Sequence, residues 1–266
     1  MEVSLILPIY RAESFIGANL QAIDEFLSKS SRAWELVLVV DGSPDRSIDI
    51  CREFARQKRS YAVEVLLNET NLGKGATVKR GMLAAKGDYR IFTDCDLAYP
   101  MTEMEKVLKP LLNGKEVSIA SRTLEGSHYI FGIHHIRHIY FRHLVSRGFH
   151  RLVHLALPMR CGDTQAGLKG FSAHAAEFLF SQLKLTGFSF DVELLHLAEK
   201  ASLPVEEVAV YFHHHPGSTM NFFTDGLKMF RDVMKIRRWT SQGLYDFSPR
   251  KRMEGEIVAP AVEATP

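Results

Sequence analysis

The segment Tyr89-Arg90-Ile91-Phe92-Thr93-Asp94-Cys95-Asp96 begins as a strand-forming run and ends in two acidic residues. Tyrosine, isoleucine, phenylalanine and threonine favour β-strands, so residues 89–93 are predicted to form one. Side chains two positions apart in an extended segment project to the same side, so the carboxylates of Asp94 and Asp96 face one way. Such a pair can hold a divalent cation against a diphosphate. A solvated turn is the alternative, because short Asp-x-Asp strings also arise by chance.

Four other runs have the composition of strands, and segments with helical spacing separate most of them. They are residues 3–9, 36–40, 63–67 and 117–120. This alternation predicts an α/β fold with a mostly parallel central sheet flanked by helices. Open sheets of this kind bind their ligands at the carboxyl ends of their strands.

Each of the first four strands is followed by a motif that suits a ligand site: Pro8-Ile9-Tyr10, Asp41-Gly42-Ser43, Asn71-Leu72-Gly73-Lys74-Gly75 and Asp94-Cys95-Asp96. Asp41 is expected to accept hydrogen bonds from a nucleobase or ribose, although a strand-to-helix turn explains the same residues. Glycines beside Lys74 allow the backbone to approach phosphates, and the alternative is a helix entry with a solvated lysine. Neither a dinucleotide fingerprint nor a P-loop fits, because Val78 and Gly75 occupy positions that those motifs reserve for other residues.

The composition limits the class of protein. With 266 residues and 46% hydrophobic content, the chain can bury a substantial core, and we expect one domain. The 33 basic and 31 acidic residues nearly balance, so no nucleic-acid partner is expected. Three cysteines without short paired spacing argue against a disulfide framework and a cysteine-based zinc site, and indicate a reducing compartment. No basic leader precedes the first strand and no apolar run reaches the ~18 residues of a membrane span, so we expect a cytoplasmic protein with peripheral membrane contact.

Two segments of the second half are cationic and amphipathic. Residues 126–162 contain no Asp or Glu, and their arginines are Arg137, Arg142, Arg147, Arg151 and Arg160. Residues 221–239 place Phe223, Leu227, Phe230 and Met234 at helical spacing, with basic residues between them. We expect both segments to bring the chain to a membrane surface. Residues 241–266 lack periodicity and predict a disordered tail.

Two further motifs, Asp163-Thr164-Gln165 and Phe190-Asp191-Val192-Glu193, combine acidic and amide side chains. A turn explains the first, and the start of a helix, whose dipole favours carboxylates, explains the second. The run His213-His214-His215 suggests a metal site only weakly. Adjacent histidines do not easily converge on one ion, and no partner ligands recur at metal spacing.

Taken together, these motifs occur in the order found in family-2 glycosyltransferases. The order is Pro8-x-Tyr10, Asp41-Gly42-Ser43, Asn71-x-Gly73-Lys74-Gly75, Asp94-x-Asp96, Ser121-Arg122, Asp163-Thr164-Gln165, Phe190-Asp191-Val192-Glu193 and Gly217-Ser218. The chain resembles the branch that glycosylates polyprenyl phosphates, especially dolichyl-phosphate β-glucosyltransferases. The resemblance covers about residues 3–220.

The resemblance implies a GT-A fold, the nucleotide-diphospho-sugar transferase fold, and inversion at the anomeric carbon of the sugar. On this basis residues 1–240 form one domain, in which about 1–122 bind the nucleotide sugar and about 123–240 the acceptor. The implied cofactor is Mg²⁺ or Mn²⁺, held by Asp96 with Asp94. The implied nucleotide-sugar site comprises Pro8, Tyr10, Glu13, Asp41, Gly73, Lys74 and Asp94.

The same resemblance implies the acceptor and catalytic residues. Arg122, Arg142 and Arg147, with Ser218, would receive the acceptor phosphate, because guanidinium groups bind phosphates bidentately. Asp191 occupies the place of a candidate base or acceptor-orienting carboxylate, and Gln165 would contact the sugar or diphosphate. A lipid phosphate is already anionic, so positioning can replace a strong base. The implied catalytic set is therefore Asp191, Arg122, Arg147 and Gln165.

Two positions depart from the family pattern. Arg11 and Ala12 separate Tyr10 from Glu13 where the family usually has Tyr-Asn-Glu, and Ala98 stands where some members have a metal-contacting Gln. The donor is UDP-glucose or GDP-mannose, and the motifs at 163–165 and 190–193 favour UDP-glucose. We therefore expect a hexosyltransferase acting on a polyprenyl phosphate at the cytoplasmic face of a membrane. The alternatives are a GDP-mannose-dependent mannosyltransferase, a transferase with a soluble acceptor, and a non-catalytic nucleotide-sugar-binding module.

Overall fold

The computed structural model describes residues 2–130, 153, 155–157, 159–213 and 222–247. Its strands are β1 Val3–Ile9, β2 Trp34–Asp41, β3 Ala62–Asn68, β4 Tyr89–Phe92, β5 Val117–Ser121, β6 His128–Ile130, β7 Lys169–Ser172, β8 Val205–Ala209 and β9 Tyr211–His213. Its helices are α1 Ile16–Lys29, α2 Ser47–Arg56, α3 Lys74–Ala84, α4 Thr102–Leu112, α5 Ala173–Gln182, α6 Phe190–Lys200 and α7 Phe222–Ser241. The five predicted strands correspond to β1–β5, with Thr93 just beyond the end of β4.

Seven of the strands form one sheet in the order β3-β2-β1-β4-β7-β5-β8. Neighbours pair in parallel except at β7, which runs antiparallel between β4 and β5. The predicted α/β fold with a mostly parallel central sheet is therefore confirmed. Because β7 comes from the second half of the chain, the two halves share one sheet.

Hydrophobic clusters cover both faces of this sheet. In β2, Leu36 and Leu38 pack into one cluster, while Val37 and Val39, which point the opposite way, pack into the other. All four side chains have no exposed surface. Complete burial of such a side chain contributes roughly 1.5–3 kcal/mol, which explains why a central strand of this sheet is a continuous apolar run.

The parallel strands β1 to β4 end at one edge of the sheet, and two residues beyond this edge have strained backbones. Arg11 follows β1 with φ 50°, and Leu97 follows the acidic pair after β4 with φ 52°. Residues other than glycine adopt this left-handed conformation at a cost of roughly 1–3 kcal/mol, and such residues cluster at functional sites. The strain thus coincides with the edge at which the sequence places its ligand motifs.

The last helix, α7, is amphipathic, and the face that it buries is not the stripe expected to meet a membrane. Val233 and Ile236 have no exposed surface, whereas Phe230 and Met234 are 43% and 42% exposed. The core contacts of α7 therefore come from the other side of the helix, and the stripe that contains Phe230 and Met234 faces outward. Of the helices in the described part of the chain, none has the length and apolar character that crossing a bilayer requires.

The expectation of a disordered tail from residue 241 is wrong for the first part of that segment. Tyr245 is buried, and its ring packs edge-on against Trp239 at 6.4 Å. Its hydroxyl donates a hydrogen bond to Glu193 Oε1 at 2.8 Å. A single aromatic residue, which the composition of the tail obscures, therefore attaches residues up to 247 to α6, and residues 248–266 lie outside the described part.

Candidate functional site

Asp41, at the end of β2, holds the glycine–lysine loop in place. Its Oδ1 accepts hydrogen bonds from Leu72 N at 2.9 Å and Asn68 Nδ2 at 2.8 Å, and its Oδ2 accepts one from Gly73 N at 2.9 Å. The side chain is almost completely buried. These three bonds position the loop before Lys74, and the expected contact of Asp41 with a nucleobase or ribose stays a prediction.

The glycines of this loop allow two parts of the chain to pack closely against each other. A Cβ on Gly73, where φ is 93°, would lie 2.5 Å from Thr186 O, and one on Gly75 would lie 2.7 Å from Leu185 O. Gly75 N also donates a hydrogen bond to Thr186 O at 2.7 Å. We expected these glycines to make room for phosphates. The structure uses them to bring Lys74 against the loop that leads into α6.

Lys74, the first residue of α3, forms an ion pair with the acidic motif after β4. Its ammonium lies 2.5 Å from Asp94 Oδ1, and 20% of its side chain is exposed. Burial acts to lower the pKa of Lys74, but the carboxylates of Asp94, Asp191 and Asp96 raise it above its ordinary value. The lysine therefore remains protonated, and three negative charges surround it.

Asp191, the second residue of α6, forms a buried ion pair with Lys169 of β7. Lys169 Nζ lies 2.6 Å from Asp191 Oδ1 and donates a second hydrogen bond to Ala166 O at 2.5 Å. Lys169 has no exposed surface, and Asp191 is 4% exposed. Burial raises the pKa of Asp191, and the charges of Lys169 and Lys74 oppose this shift.

The sequence reasoning gave Lys169 no role, although one signal was present. A lysine within the apolar run Leu168-Lys169-Gly170-Phe171 can be buried only if an acidic partner compensates its charge. Spacing alone does not reveal that the partner is Asp191. Lys74, Lys169, Asp94, Asp96 and Asp191 are called the charge cluster below.

The loop at 163–167 packs directly on the acidic motif. A Cβ on Gly167 would lie 2.1 Å from Asp94 Oδ2, so a larger residue there would displace this carboxylate. Asp96 Oδ1 accepts a hydrogen bond from Ala98 N at 3.0 Å, which shapes the strained turn at Leu97. Gln165 lies in the same loop, half-buried, and its N–H donates to Asp163 Oδ1 at 3.2 Å.

The residues present fit a divalent cation whose coordination is completed by a ligand. Among the residues that the structure describes, no three His, Cys, Asp or Glu side chains lie close enough together to hold a metal ion by themselves. Magnesium commonly binds through one or two carboxylates plus substrate phosphates and water. Asp94 and Asp96 offer that number of carboxylates, so their chemistry suits a cation that arrives with a diphosphate.

Arg122, which follows β5, forms an ion pair with Asp163. Its Nε and Nη2 donate to the two carboxylate oxygens of Asp163 at 2.7 and 2.9 Å, and its backbone N–H donates to Asp163 Oδ2 at 2.9 Å. Burial alone would raise the pKa of Asp163, but its bonds to Arg122 bring the pKa below the usual value. This bidentate pair orders the 163–165 loop, and the role of Arg122 toward an acceptor phosphate stays a prediction.

The loop after β1 is fastened to the loop after β2. Arg11 N donates to Ser43 Oγ at 2.8 Å, Glu13 N to Asp45 Oδ2 at 3.1 Å, and Arg46 N to Glu13 Oε2 at 3.1 Å. Burial acts to raise the pKa of Asp45, but hydrogen bonds from Ser43, Ser47 and the backbone lower it to about 2. Glu13 thus holds the adjacent loop, while the half-buried Pro8 and Tyr10 border the edge.

Several predicted residues lie outside the described part of the chain. They are Arg142, Arg147 and Ser218 of the expected acceptor-phosphate set, and His214 and His215 of the histidine run. His213 belongs to β9, where it pairs with Ile130 of β6. The structure thus brings together Lys74, Asp94, Asp96 and Asp191 from the predicted set.

Comparison with known proteins identifies related sequences and folds. The model of the family described as glycosyl transferase family 2 matches residues 4–180. A dolichyl-phosphate beta-glucosyltransferase of Drosophila melanogaster is 33% identical over 247 residues, 89% of this chain and 74% of that protein. Its counterpart of the same description in Saccharomyces cerevisiae is 30% identical, over 91% of this chain and 76% of that protein.

A solved structure extends the likeness to the fold. Glucosyl-3-phosphoglycerate synthase from Mycobacterium tuberculosis, crystallised with Mn²⁺, UDP-glucose and phosphoglyceric acid, is 19% identical with a TM-score of 0.61. The superposition covers 92% of this chain and 81% of that one. At this level of identity the likeness concerns the fold, and it confirms the expected GT-A architecture.

Proposed function

The chain belongs to glycosyl transferase family 2, and from that premise we propose that it transfers glucose from UDP-glucose to a polyprenyl phosphate such as dolichyl phosphate. The observation that carries the proposal is the similarity to dolichyl-phosphate beta-glucosyltransferases over about nine-tenths of the chain. The charge cluster at the carboxyl edge of the sheet supports it, because ligands of open α/β sheets bind at this edge.

For the donor, the described residues provide two oxygen ligands and one cation. Asp94 and Asp96 would hold Mg²⁺ or Mn²⁺, and the Mycobacterium tuberculosis enzyme was crystallised with Mn²⁺ and UDP-glucose. When bound, such an ion neutralises charge on the leaving diphosphate. The proposed nucleoside site comprises Pro8, Tyr10, Glu13, Asp41 and Gly73. Lys74 adds an ammonium beside Asp94. We assign about residues 1–122 to this donor half.

For the acceptor, the phosphate oxygen of the lipid attacks the anomeric carbon from the side opposite to the leaving UDP, which inverts the configuration. That oxygen is already anionic near neutral pH, so correct placement supplies most of the catalysis. Asp191, held by Lys169, orients the acceptor, and Gln165 contacts the sugar or diphosphate. The proposed phosphate ligands are Arg122, Arg142, Arg147 and Ser218. All but Arg122, which lies at its border, belong to an acceptor half of about residues 123–240.

Peripheral contact with the cytoplasmic face of a membrane would bring the enzyme to its lipid substrate. The outward stripe of α7 supports this proposal, because Phe230 and Met234 are exposed apolar residues of this helix. The exposed cations of the helix are Lys228, Arg231, Lys235, Arg237 and Arg238. Each basic residue near an anionic bilayer is worth about 1 kcal/mol.

The proposal is tested by incubating the full chain with UDP-glucose, Mg²⁺ or Mn²⁺, and a polyprenyl phosphate in detergent. We expect stoichiometric release of UDP and a glucosylated lipid that mild acid hydrolyses. Parallel reactions replace UDP-glucose by GDP-mannose, and the lipid by a soluble sugar phosphate. Release of nucleoside diphosphate only with GDP-mannose would show that the donor is GDP-mannose rather than UDP-glucose. Transfer only to the soluble sugar phosphate would show that the acceptor is not a lipid. Donor binding without any transfer would contradict the enzymatic proposal.

A further inference from the structure

Lys74 lies at the carboxyl ends of the parallel strands, beside the carboxylates that are proposed to bind the cation of the donor. Its ammonium is in contact with Asp94, and the charges of Asp191 and Asp96 act on it as well. Its charge therefore acts on both the acidic motif after β4 and the carboxylate on α6. A cation bound to Asp94 and Asp96 would compete with this ammonium for the same oxygens of Asp94.

The backbone around Lys74 is fixed on both sides. Asp41 binds Leu72 N and Gly73 N before it, and Thr186 O accepts the N–H of Gly75 after it. The four-carbon side chain is the part that remains able to change position, and about a fifth of it is exposed. The fold therefore holds Lys74 in place within the site, unlike a lysine whose ammonium is solvated at the start of a helix.

The charges of the cluster explain why an ammonium is present there. Three carboxylates, from Asp94, Asp96 and Asp191, face two ammonium groups, from Lys74 and Lys169. Without Lys74, Asp94 would lose the ammonium that it contacts in a partly buried site, where uncompensated charge is costly. A divalent cation that takes over Asp94 leaves the Lys74 ammonium in need of a new anion, and a diphosphate supplies one.

We propose that Lys74 is the resident counter-ion of the donor site: it pairs with Asp94 while the site lacks a cation, and it yields this carboxylate to the divalent cation when a nucleoside diphosphate arrives to pair with its ammonium. This inference rests on the proposed function, because it assumes a metal-dependent donor site. It makes the binding of cation and nucleotide mutually dependent. Coupling of this kind is reciprocal and typically changes each affinity by roughly 5- to 150-fold.

Titration of Mn²⁺ followed by electron paramagnetic resonance, with and without UDP, measures this coupling directly. For the wild-type chain we expect UDP to tighten Mn²⁺ binding within that range. In Lys74→Met the ammonium no longer competes, so Mn²⁺ should bind without UDP on the order of tenfold more tightly than to the wild type. The tightening by UDP should shrink, because only the direct ligation of the cation by the diphosphate remains. Lys74→Arg keeps the charge and should retain the coupling.

Lys86→Met is the matched control, because Lys86 is an exposed lysine two residues beyond the C-terminal end of the same helix. It removes the same net charge and should leave Mn²⁺ binding unchanged. Equal Mn²⁺ affinity of Lys74→Met and the wild type would overturn the inference. If Lys74→Met does not fold, wild-type binding decides the matter, because Mn²⁺ affinity that UDP does not alter would overturn it equally.

The two proposals fail in different ways. A wild-type enzyme that transfers glucose but binds Mn²⁺ independently of UDP contradicts the counter-ion role alone. A chain that binds Mn²⁺ and UDP cooperatively but transfers no glucose contradicts the proposed function alone.

Discussion

The ammonium of Lys169, which has no exposed surface, lies 2.6 Å from the carboxylate of Asp191. This pair joins β7, in the middle of the sheet, to the start of α6. Removing one partner would leave the other as an uncompensated buried charge, which typically costs 3–5 kcal/mol. The pair thus couples the stability of the fold to the candidate acceptor carboxylate.

Lys169→Met should lower the free energy of unfolding by roughly 3–5 kcal/mol, measured by urea denaturation followed by circular dichroism. The double variant Lys169→Met with Asp191→Asn removes both charges and should recover most of this loss. A double variant that is no more stable than Lys169→Met would contradict the interpretation that charge pairing, rather than packing of the lysine stem, causes the effect.

A pH-dependent contribution to stability is expected from Asp45, whose pKa in the folded chain is about 2 against an ordinary 3.8. Because the folded pKa is depressed, this carboxylate stabilises the fold fully above pH 3.8. The contribution is lost as the pH falls through 2. The melting temperature of Asp45→Asn should therefore lie below that of the wild type at neutral pH, and the difference should shrink between about pH 4 and pH 2.

Thermal melts of both proteins across this range provide the measurement. Asp49→Asn, at an exposed aspartate of α2, serves as the control and should show no such convergence. A constant difference between wild type and Asp45→Asn down to pH 2 would show that the carboxylate charge is not what stabilises the loop.

Asp96→Ala should reduce transfer by two orders of magnitude or more, because a lost source of charge stabilisation in a transition state costs about 10²–10³ in rate. Its fold should persist, since Asp96 lies in a turn beyond β4 rather than in the core. UDP release under saturating UDP-glucose and Mg²⁺ measures the effect. Asp88→Ala, at an exposed aspartate just before β4, is the control expected to retain activity. Wild-type turnover by Asp96→Ala would remove Asp96 from the metal site.

Two buried tyrosines allow the same chemical change to be compared in different surroundings. The Tyr245 hydroxyl donates to Glu193, which has no exposed surface, whereas the Tyr99 hydroxyl has no hydrogen-bond partner among the described residues. Tyr245→Phe should lower the unfolding free energy by about 1–3 kcal/mol, because it removes a bond to a buried carboxylate. Tyr99→Phe should leave it unchanged or raise it.

Urea denaturation of the two variants gives the comparison. Equal destabilisation would indicate that the loss of a hydroxyl from any buried tyrosine is costly here, contrary to the structure. A stable Tyr99→Phe with reduced affinity for UDP-glucose would instead assign the unpartnered hydroxyl to a ligand.

The sequence predicted the strands β1 to β5 well, because each is a run of β-forming residues long enough to cross a buried sheet. It missed β6 to β9. The strand β7, for example, has four residues that include Lys169 and Gly170, and it has neither the alternation nor the composition of a strand. The parallel topology also explains why the motifs of the first half meet at one edge. Topology of this kind is encoded locally, by the alternation of strand and helix signals.

The roles of single residues were harder to predict, because their partners are distant in the sequence. Asp41 is predicted to bind a ligand, but its bonds to the 72–73 backbone could not be foreseen. Arg122 is predicted to bind a phosphate, but its pairing with Asp163 could not be foreseen either. Residue type and spacing indicate which groups can carry charge. They do not indicate which neighbouring charge the fold brings within 3 Å.

The outward stripe of α7 leads to a prediction about membrane binding. Phe230→Glu combined with Met234→Glu replaces two exposed apolar residues by acids, so it should leave the melting temperature nearly unchanged. Binding to vesicles that contain anionic lipid should weaken strongly, because the variant loses apolar contact and adds negative charge next to Arg231 and Lys235. Co-sedimentation with vesicles measures this, and 0.5 M salt should weaken wild-type binding as well.

A matched control separates this effect from a general loss of apolar surface. Leu83→Glu changes a residue of α3 that is 42% exposed, as Met234 is, but lies on another helix. It should sediment with anionic vesicles as the wild type does. If Leu83→Glu and the α7 variant lose binding equally, the attraction is a property of net charge rather than of this stripe. If neither loses binding, a different part of the chain contacts the bilayer, and the cationic segment at 131–151 becomes the next region to test.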